Sequence, residues 1–248
     1  MSSTTTIAGS VALVTGANRG IGKALVEGLI KAGAKKVYAG ARNVETLRPL
    51  QIALGDRVVP LRLDVTNAAE VASAAKAARD VTLVFNNAGV AFDSTGLGEK
   101  DFDHARSEME VNYFGVLAMM RAFAPVFERQ GGGTFINVAS IVSMVNFPSF
   151  GTYSASKAAV WSLSIGLRGL LAGRNIRVVT VHPGPVDTDM AADIEMEKAT
   201  PEQVTQAILE GLSDGAEEVF PDAMARDLYQ QWRADHKAVE RATAGVGA

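Results

Sequence analysis

Short apolar runs alternate along the chain with segments whose apolar positions recur every three or four residues. The runs at 11–14, 36–39, 58–63, 81–85, 134–138, 176–181 and 218–220 read as strands. Between them, helical periodicity passes through Leu25, Leu29 and Ile30 and marks 44–54, an alanine-rich 68–78, a long amphipathic 99–129, then 152–172 and 201–212. Strands this uniformly apolar are buried on both faces, and a helix after each implies parallel pairing. The pattern predicts an α/β fold in three layers: a doubly wound parallel sheet of about seven strands with helices on both faces, and ligands at the carboxyl ends of the strands. Nothing divides 1–248, so one domain is expected, with frayed ends at 1–8 and 244–248.

Composition narrows the chemistry. The 248 residues are 48% hydrophobic with a net charge of -3, and no dense lysine–arginine run suggests a polyanion surface. The absence of cysteine excludes disulfides, thiolate metal sites and thiol nucleophiles. His104, His182 and His236 lack paired-ligand spacing, so no metal site is expected. The N-terminus carries no basic region followed by an apolar core. Apolar stretches break before the roughly 20 residues of a membrane span. These features make a cytoplasmic protein the expectation, with no nucleic-acid or membrane partner.

The first strand ends in Thr15-Gly16-Ala17-Asn18-Arg19-Gly20-Ile21-Gly22. Glycines there permit a tight turn and let backbone N–H groups approach a pyrophosphate at the positive end of the following helix. A P-loop fails because Ala17 and Ala24 stand where it needs Gly and Ser or Thr. A methyltransferase remains compatible with this segment alone. The second strand ends in Ala41-Arg42-Asn43, without the carboxylate that would repel a 2′-phosphate. Arg42 and Arg19 offer guanidinium groups to one, so NADP(H) is favoured over NAD(H). Asp64-Val65 closes the third strand where a carboxylate can accept from an adenine amino group. Asn86-Asn87-Ala88-Gly89 closes the fourth, with Gly89 leaving room for a ribose. Asn112 sits inside the long helix, where its low propensity marks a distortion or a polar relay.

On a helix, Tyr153 and Lys157 lie one turn apart on one face. An ammonium beside a phenol stabilises the phenolate and pulls its pKa toward neutrality, which makes the tyrosine a general acid. Ser140 adds a hydroxyl for the same substrate oxygen. No G-x-S-x-G elbow surrounds Ser140, which argues against a serine hydrolase.

From about Val11 to Thr188 these motifs, in order and spacing, resemble the short-chain dehydrogenase/reductase family of the single-domain Rossmann type, whose first turn has the form T-G-x-x-x-G-x-G. The resemblance implies an oxidoreductase in which Tyr153 is the acid/base, Lys157 holds the nicotinamide ribose and lowers the tyrosine pKa, Ser140 orients the carbonyl and Asn112 supports a proton relay. It further implies that Pro183-Gly184-Pro185-Val186 and Thr188 line the nicotinamide, and that the chain forms a homo-oligomer, dimer or tetramer. Many members end in a Val-Asp-Gly-Gly segment; here Phe220-Pro221-Asp222 leads into a helical stretch through Leu228, Trp232 and Val239. The segment 188–200 is expected to be a substrate lid. Met190, Ile194 and Met196, with Val145, Phe147 and Phe150 after Ser140, form a candidate apolar substrate wall. The lid carries more acid than base, which favours a neutral ketone, aldehyde or secondary alcohol. A non-catalytic dinucleotide sensor with the same fold is the alternative reading.

Overall fold

The computed structural model describes residues 4–245; the parts of the predicted frayed ends at 1–3 and 246–248 lie outside them. Strands β1 (Val11–Thr15), β2 (Lys36–Ala41), β3 (Val58–Arg62), β4 (Leu83–Asn86), β5 (Gly133–Val138), β6 (Ile176–Val181) and β7 (Glu218–Val219) form one parallel sheet in the order β3-β2-β1-β4-β5-β6-β7. This is the expected doubly wound fold. Successive residues of a strand feed opposite layers. Ala12 and Val14 of β1 join the core under α1 (Gly20–Lys31), α2 (Arg48–Leu54) and α7 (Pro201–Ser213), whereas Val11 and Leu13 join the core under α3 (Ala68–Ala77), α5 (Gly115–Gln130) and α6 (Gly151–Ala172). The chain leaves β1 toward β2 and later returns to β1's other side as β4. The crevice at their carboxyl ends is the switch point where such folds bind ligands.

The predicted single helix over 99–129 is three segments: α4 (Asp101–Glu108), a π-helical turn (Met109–Phe114) and α5. The wider turn carries Asn112 fully inward. Its Oδ1 accepts from Val90 N at 2.9 Å, and its Nδ2 donates to Val90 O and Ser156 Oγ, both at 2.9 Å. Of the two roles expected for Asn112, the distortion is present. The segment 44–54 also divides, into a 3-10 turn (Val44–Leu47) and α2, because Pro49 lacks the N–H that a helix interior requires and stands in the first turn of α2. Val81 lies before β4, its N–H donating to Ala78 O. The C-terminal stretch breaks at Asp235, whose extended backbone ends α8 (Ala223–Ala234) and whose side chain caps α9 (His236–Ala244) by accepting from Lys237 N and Ala238 N. Among the described residues no helix is long and apolar enough to cross a membrane.

The expectation of fraying at 1–8 is corrected for residues 4–8. Thr5 N donates to Leu212 O at 2.9 Å, the Thr5 hydroxyl meets Thr134 Oγ1 at 3.2 Å and accepts from Arg177, and Ile7 is buried in the core. At the other end Ala244 is the last residue of α9, and Gly245, at φ +66°, caps it. Ile7→Ala is therefore expected to lower stability by about 2 kcal/mol. Urea unfolding of the variant measures this, and a change within about 0.5 kcal/mol would return the segment to the status of a loose tail.

Candidate active site

The crevice opens into a cavity of about 640 Å³ that runs from the glycine turn to the N-terminal end of α6. Thr15, behind the cavity, ties together two of the turns that line it. Its buried hydroxyl donates to Phe85 O at 3.3 Å and accepts from Asn87 N at 3.0 Å and Ala88 N at 2.9 Å. The turn above it needs its glycines: Gly16 and Gly20 have φ of +65° and +52°, and a Cβ on Gly22 would stand 2.1 Å from Gly16 O. Arg19 makes no side-chain cap on α1, and the first turn holds no acid, so its N–H groups face the cavity without a side-chain acceptor. A dinucleotide pyrophosphate fits this cradle.

Gly16, Asn18, Arg19, Gly20, Ile21, Gly22, Arg42, Asn43, Asp64, Val65, Ala88 and Gly89 all line the cavity on this side. Asp64 Oδ1 accepts from Thr66 N at 3.0 Å and Thr66 Oγ1 at 2.7 Å. Burial pushes its carboxyl up, but the Thr66 hydrogen bonds with the charges of Arg42 and Arg62 win and hold it below the usual range. Arg42 is exposed at the end of β2, with no ion-pair partner among the described residues. Arg19 pairs with Asp189 at 2.9 Å, both side chains exposed, which joins the glycine turn to the segment expected to be a lid. That segment is anchored at both ends by a bridge between Val186 and Ala199 and contains a 3-10 turn (Asp189–Ala191).

The other end gathers Ser140, Tyr153 and Lys157 with Pro183, Gly184, Val186 and Thr188. The Ser140 hydroxyl donates to Pro183 O at 3.3 Å and accepts from Val142 N at 3.3 Å, and it stands near enough to the Tyr153 phenol to act on it. Lys157 Nζ donates to Val138 O at 2.9 Å and stands 5.7 Å from the centre of the Tyr153 ring. Gly89 leaves the space in front of this pair: a Cβ there would lie 3.1 Å from Asn112 Oδ1 and 3.4 Å from Lys157 Nζ.

Burial dominates the electrostatics. It drives the Tyr153 phenol well above its ordinary value, the neighbouring Ser140 hydroxyl opposes it, and the charge of Glu108 adds to the rise. Burial also pushes the Lys157 ammonium down to about 8. Lys157 is not among the groups that move the phenol here; its ammonium is turned to Val138 O.

Two predicted contact residues lie elsewhere, and Asn112 stands behind the cavity rather than in its wall. Asn86, the last residue of β4, is buried on the sheet face under α5 and α6 and donates to Asn137 Oδ1 at 2.7 Å; its neighbour Asn87 is the one in the wall. Val145 is buried and outside the cavity, whereas Phe147, Phe150, Met190, Ile194 and Met196 line it. Sequence reasoning also missed Val90, Val111, Val142 and Met224. Met224 comes from α8, beyond the motifs, and its only sequence signal is the departure of the chain's end from the usual pattern.

The profile of the short chain dehydrogenase family matches residues 10–199. This chain belongs to the short-chain dehydrogenase family. A short-chain dehydrogenase from Burkholderia cenocepacia J2315, solved in complex with NADP, is 45% identical, with 96% of this chain and 99% of that one covered at a TM-score of 0.91. A family member from Burkholderia phymatum in complex with NAD is 26% identical over 95% of this chain and 96% of that one, at a TM-score of 0.85. An NADP-dependent 3-hydroxy acid dehydrogenase of Schizosaccharomyces pombe is 28% identical over 243 residues, 90% of this chain and 94% of that protein.

The buried lysine gives a signed pH dependence. Its folded pKa of about 8 lies below the ordinary 10.5, so between these values the unfolded chain binds a proton that the folded one does not. Stability of the native protein relative to Lys157→Met should therefore rise with pH across that interval, by up to about 3 kcal/mol. Paired thermal melts at pH 7 and pH 10 measure the change in the gap, and a constant gap would show that the ammonium is not desolvated.

Proposed function

We propose that this short-chain dehydrogenase is an NADP(H)-dependent oxidoreductase that interconverts a neutral carbonyl and its secondary alcohol, with Tyr153 as the acid–base group. The observation that carries the reading is the single cavity joining a glycine cradle to Ser140, Tyr153 and Lys157. The bound nicotinamide supplies or accepts the hydride. The cradle N–H groups and Asp64 hold the two ends of the adenosine pyrophosphate, Lys157 with Gly89 takes the ribose, and Pro183, Gly184, Val186 and Thr188 pack against the nicotinamide. Ser140 orients the substrate oxygen through its hydroxyl. Tyr153 gives that oxygen its proton in reduction and takes it back in oxidation, and apolar walls exclude water from the transfer. Asn112 acts from behind, fixing Val90 and the first turns of α6. The segment 188–200 serves as the lid.

The substrate end is lined by Val142, Phe147, Phe150, Met190, Ile194 and Met196, and the cations of the cavity, Arg19, Arg42 and Lys157, all belong to the dinucleotide end or its junction. A substrate carboxylate would find no partner there, which favours a neutral ketone or aldehyde over the 3-hydroxy acid named for the fission-yeast relative. Arg42 carries the preference for NADP(H), and the NADP complex of the Burkholderia cenocepacia protein supports it. Homo-oligomerisation is part of the same reading; Phe102, Phe114, Ile165 and Leu170 are exposed apolar side chains that such a contact would cover.

Three measurements test this. NADPH oxidation across a panel of aldehydes, aryl ketones and 3-oxo acids is expected to favour the neutral carbonyls; turnover of the 3-oxo acids alone would overturn the substrate class. Tyr153→Phe should cut kcat by at least about 10³-fold with NADPH binding intact, and full turnover would reassign the acid. Arg42→Asp should invert the ratio of NADPH to NADH efficiency by removing a cation and adding repulsion. An unchanged ratio would leave the 2′-phosphate to other groups.

A further inference from the structure

We propose that His182 is a positioning residue for Ser140, acting through its Nδ1 edge. The inference rests on the reading of Ser140 as the group that orients the substrate oxygen. His182 follows β6 and is fully buried. Its Nε2 lies 2.6 Å from Glu218 Oε2, and the other oxygen of that carboxylate accepts from Arg168 Nη2 at 2.7 Å. Arg168 is itself fixed, donating to Val178 O at 3.0 Å, Thr180 Oγ1 at 3.2 Å and Glu217 O at 3.1 Å. One edge of the imidazole is thus bolted to β7 and α6.

The opposite edge meets the Ser140 turn. Nδ1 is 3.0 Å from Ser143 Oγ and 3.2 Å from Ser140 O, and Ser143 Oγ donates to Ser140 O at 2.5 Å. The next residue, Pro183, accepts from both Ser140 Oγ at 3.3 Å and Ile141 N at 2.9 Å. Consecutive residues of one strand end therefore hold the Ser140 peptide and the Ser140 hydroxyl. The ring cannot turn away: Phe220 stacks on one face at 5.1 Å and 15°, and Trp161 meets it edge-on at 5.9 Å. A histidine kept only for packing would need this stack alone. The paired polar edges, aimed from Glu218 to the Ser140 carbonyl, also let it fix the peptide from which the Ser140 hydroxyl projects.

Three variants separate the edges. His182→Phe keeps the stack and removes both nitrogens; His182→Gln places an amide toward Glu218; His182→Asn places one where Nδ1 stood. With the full-length protein, NADPH and the best carbonyl of the panel, kcat should fall about tenfold or more in the Phe and Gln variants and stay within about threefold in the Asn variant. The NADPH dissociation constant should stay within about twofold in all three. Native kcat in the Phe or Gln variant, or equal losses in all three, would overturn the proposal, the latter showing that the histidine matters for folding alone. Should the Phe variant not fold, Ser143→Ala removes the hydroxyl from the same contact, and an unchanged kcat there would count against the proposal. Ser140→Ala, run beside them, keeps the two readings apart. Full activity in it overturns the role of Ser140 itself and with it this inference. An inactive Ser140→Ala beside an active His182→Phe sinks the inference alone.

Discussion

The hydroxyl of Thr15 carries the hydrogen-bond ladder past the point where the backbone can no longer do so. β1 and β4 pair only as far as Val14 opposite Phe85, because beyond it one chain turns into the glycine cradle and the other into the Asn87–Gly89 turn. Buried peptide groups left at such a fork must be satisfied. Thr15 Oγ1 serves Phe85 O, Asn87 N and Ala88 N, while Asn87 Nδ2 returns to Thr15 O at 2.9 Å and Gly16 O at 3.3 Å. Two side chains thereby hold the fork at a fixed opening. The positions of Gly22 against Gly16, and of Gly89 against Lys157 and Asn112, follow from that opening.

The sheet was legible in the sequence because parallel strands buried on both faces read as unbroken apolar runs, and the cradle because only glycine tolerates such approaches of backbone. What stayed hidden depended on one-residue registers. Asn86 and Asn87 are chemically identical, yet the last residue of β4 points to Asn137 and the next, past the strand, turns to Thr15. The π turn at Asn112 is stabilised by Val90 and Ser156, distant partners that no local propensity announces. Ile7 looked loose for the same reason: its neighbour Thr5 finds its partners, Leu212 and Thr134, more than 120 residues away. Helix spacing did place Tyr153 and Lys157 together. Their electrostatic relation was not readable from spacing, because it depends on burial.

Within that pair, desolvation acts on both members toward the neutral form, raising the phenol and lowering the ammonium. The neighbouring Ser140 hydroxyl is the group that works in the other direction on Tyr153. In a low-dielectric pocket the same burial strengthens every directed dipole and charge that reaches the phenol, so small displacements of Ser140 have large electrostatic consequences. On the reading of Tyr153 as the acid–base group, its proton chemistry would depend on how rigidly the turn at Ser140 is held as well as on its spacing from Lys157.

That turn is backed by rings from α6, the end of β6 and the C-terminal stretch. His182, Phe220, Tyr229, Trp232 and Trp161 form a closed circuit of ring contacts, with Phe220 on Tyr229 at 4.0 Å and Trp232 against Trp161 at 6.0 Å. The circuit locks α8 onto α6 and β7, and Asp222 completes it by accepting from Gly184 N and Ala225 N, both at 2.8 Å. Met224 enters the cavity wall from this unit, and the Ser140 turn leans on its His182 corner. The cavity wall at Met224 and the backing of the Ser140 turn are therefore one packed body, so on the proposed function a change in the C-terminal helices would be felt by specificity and proton transfer together.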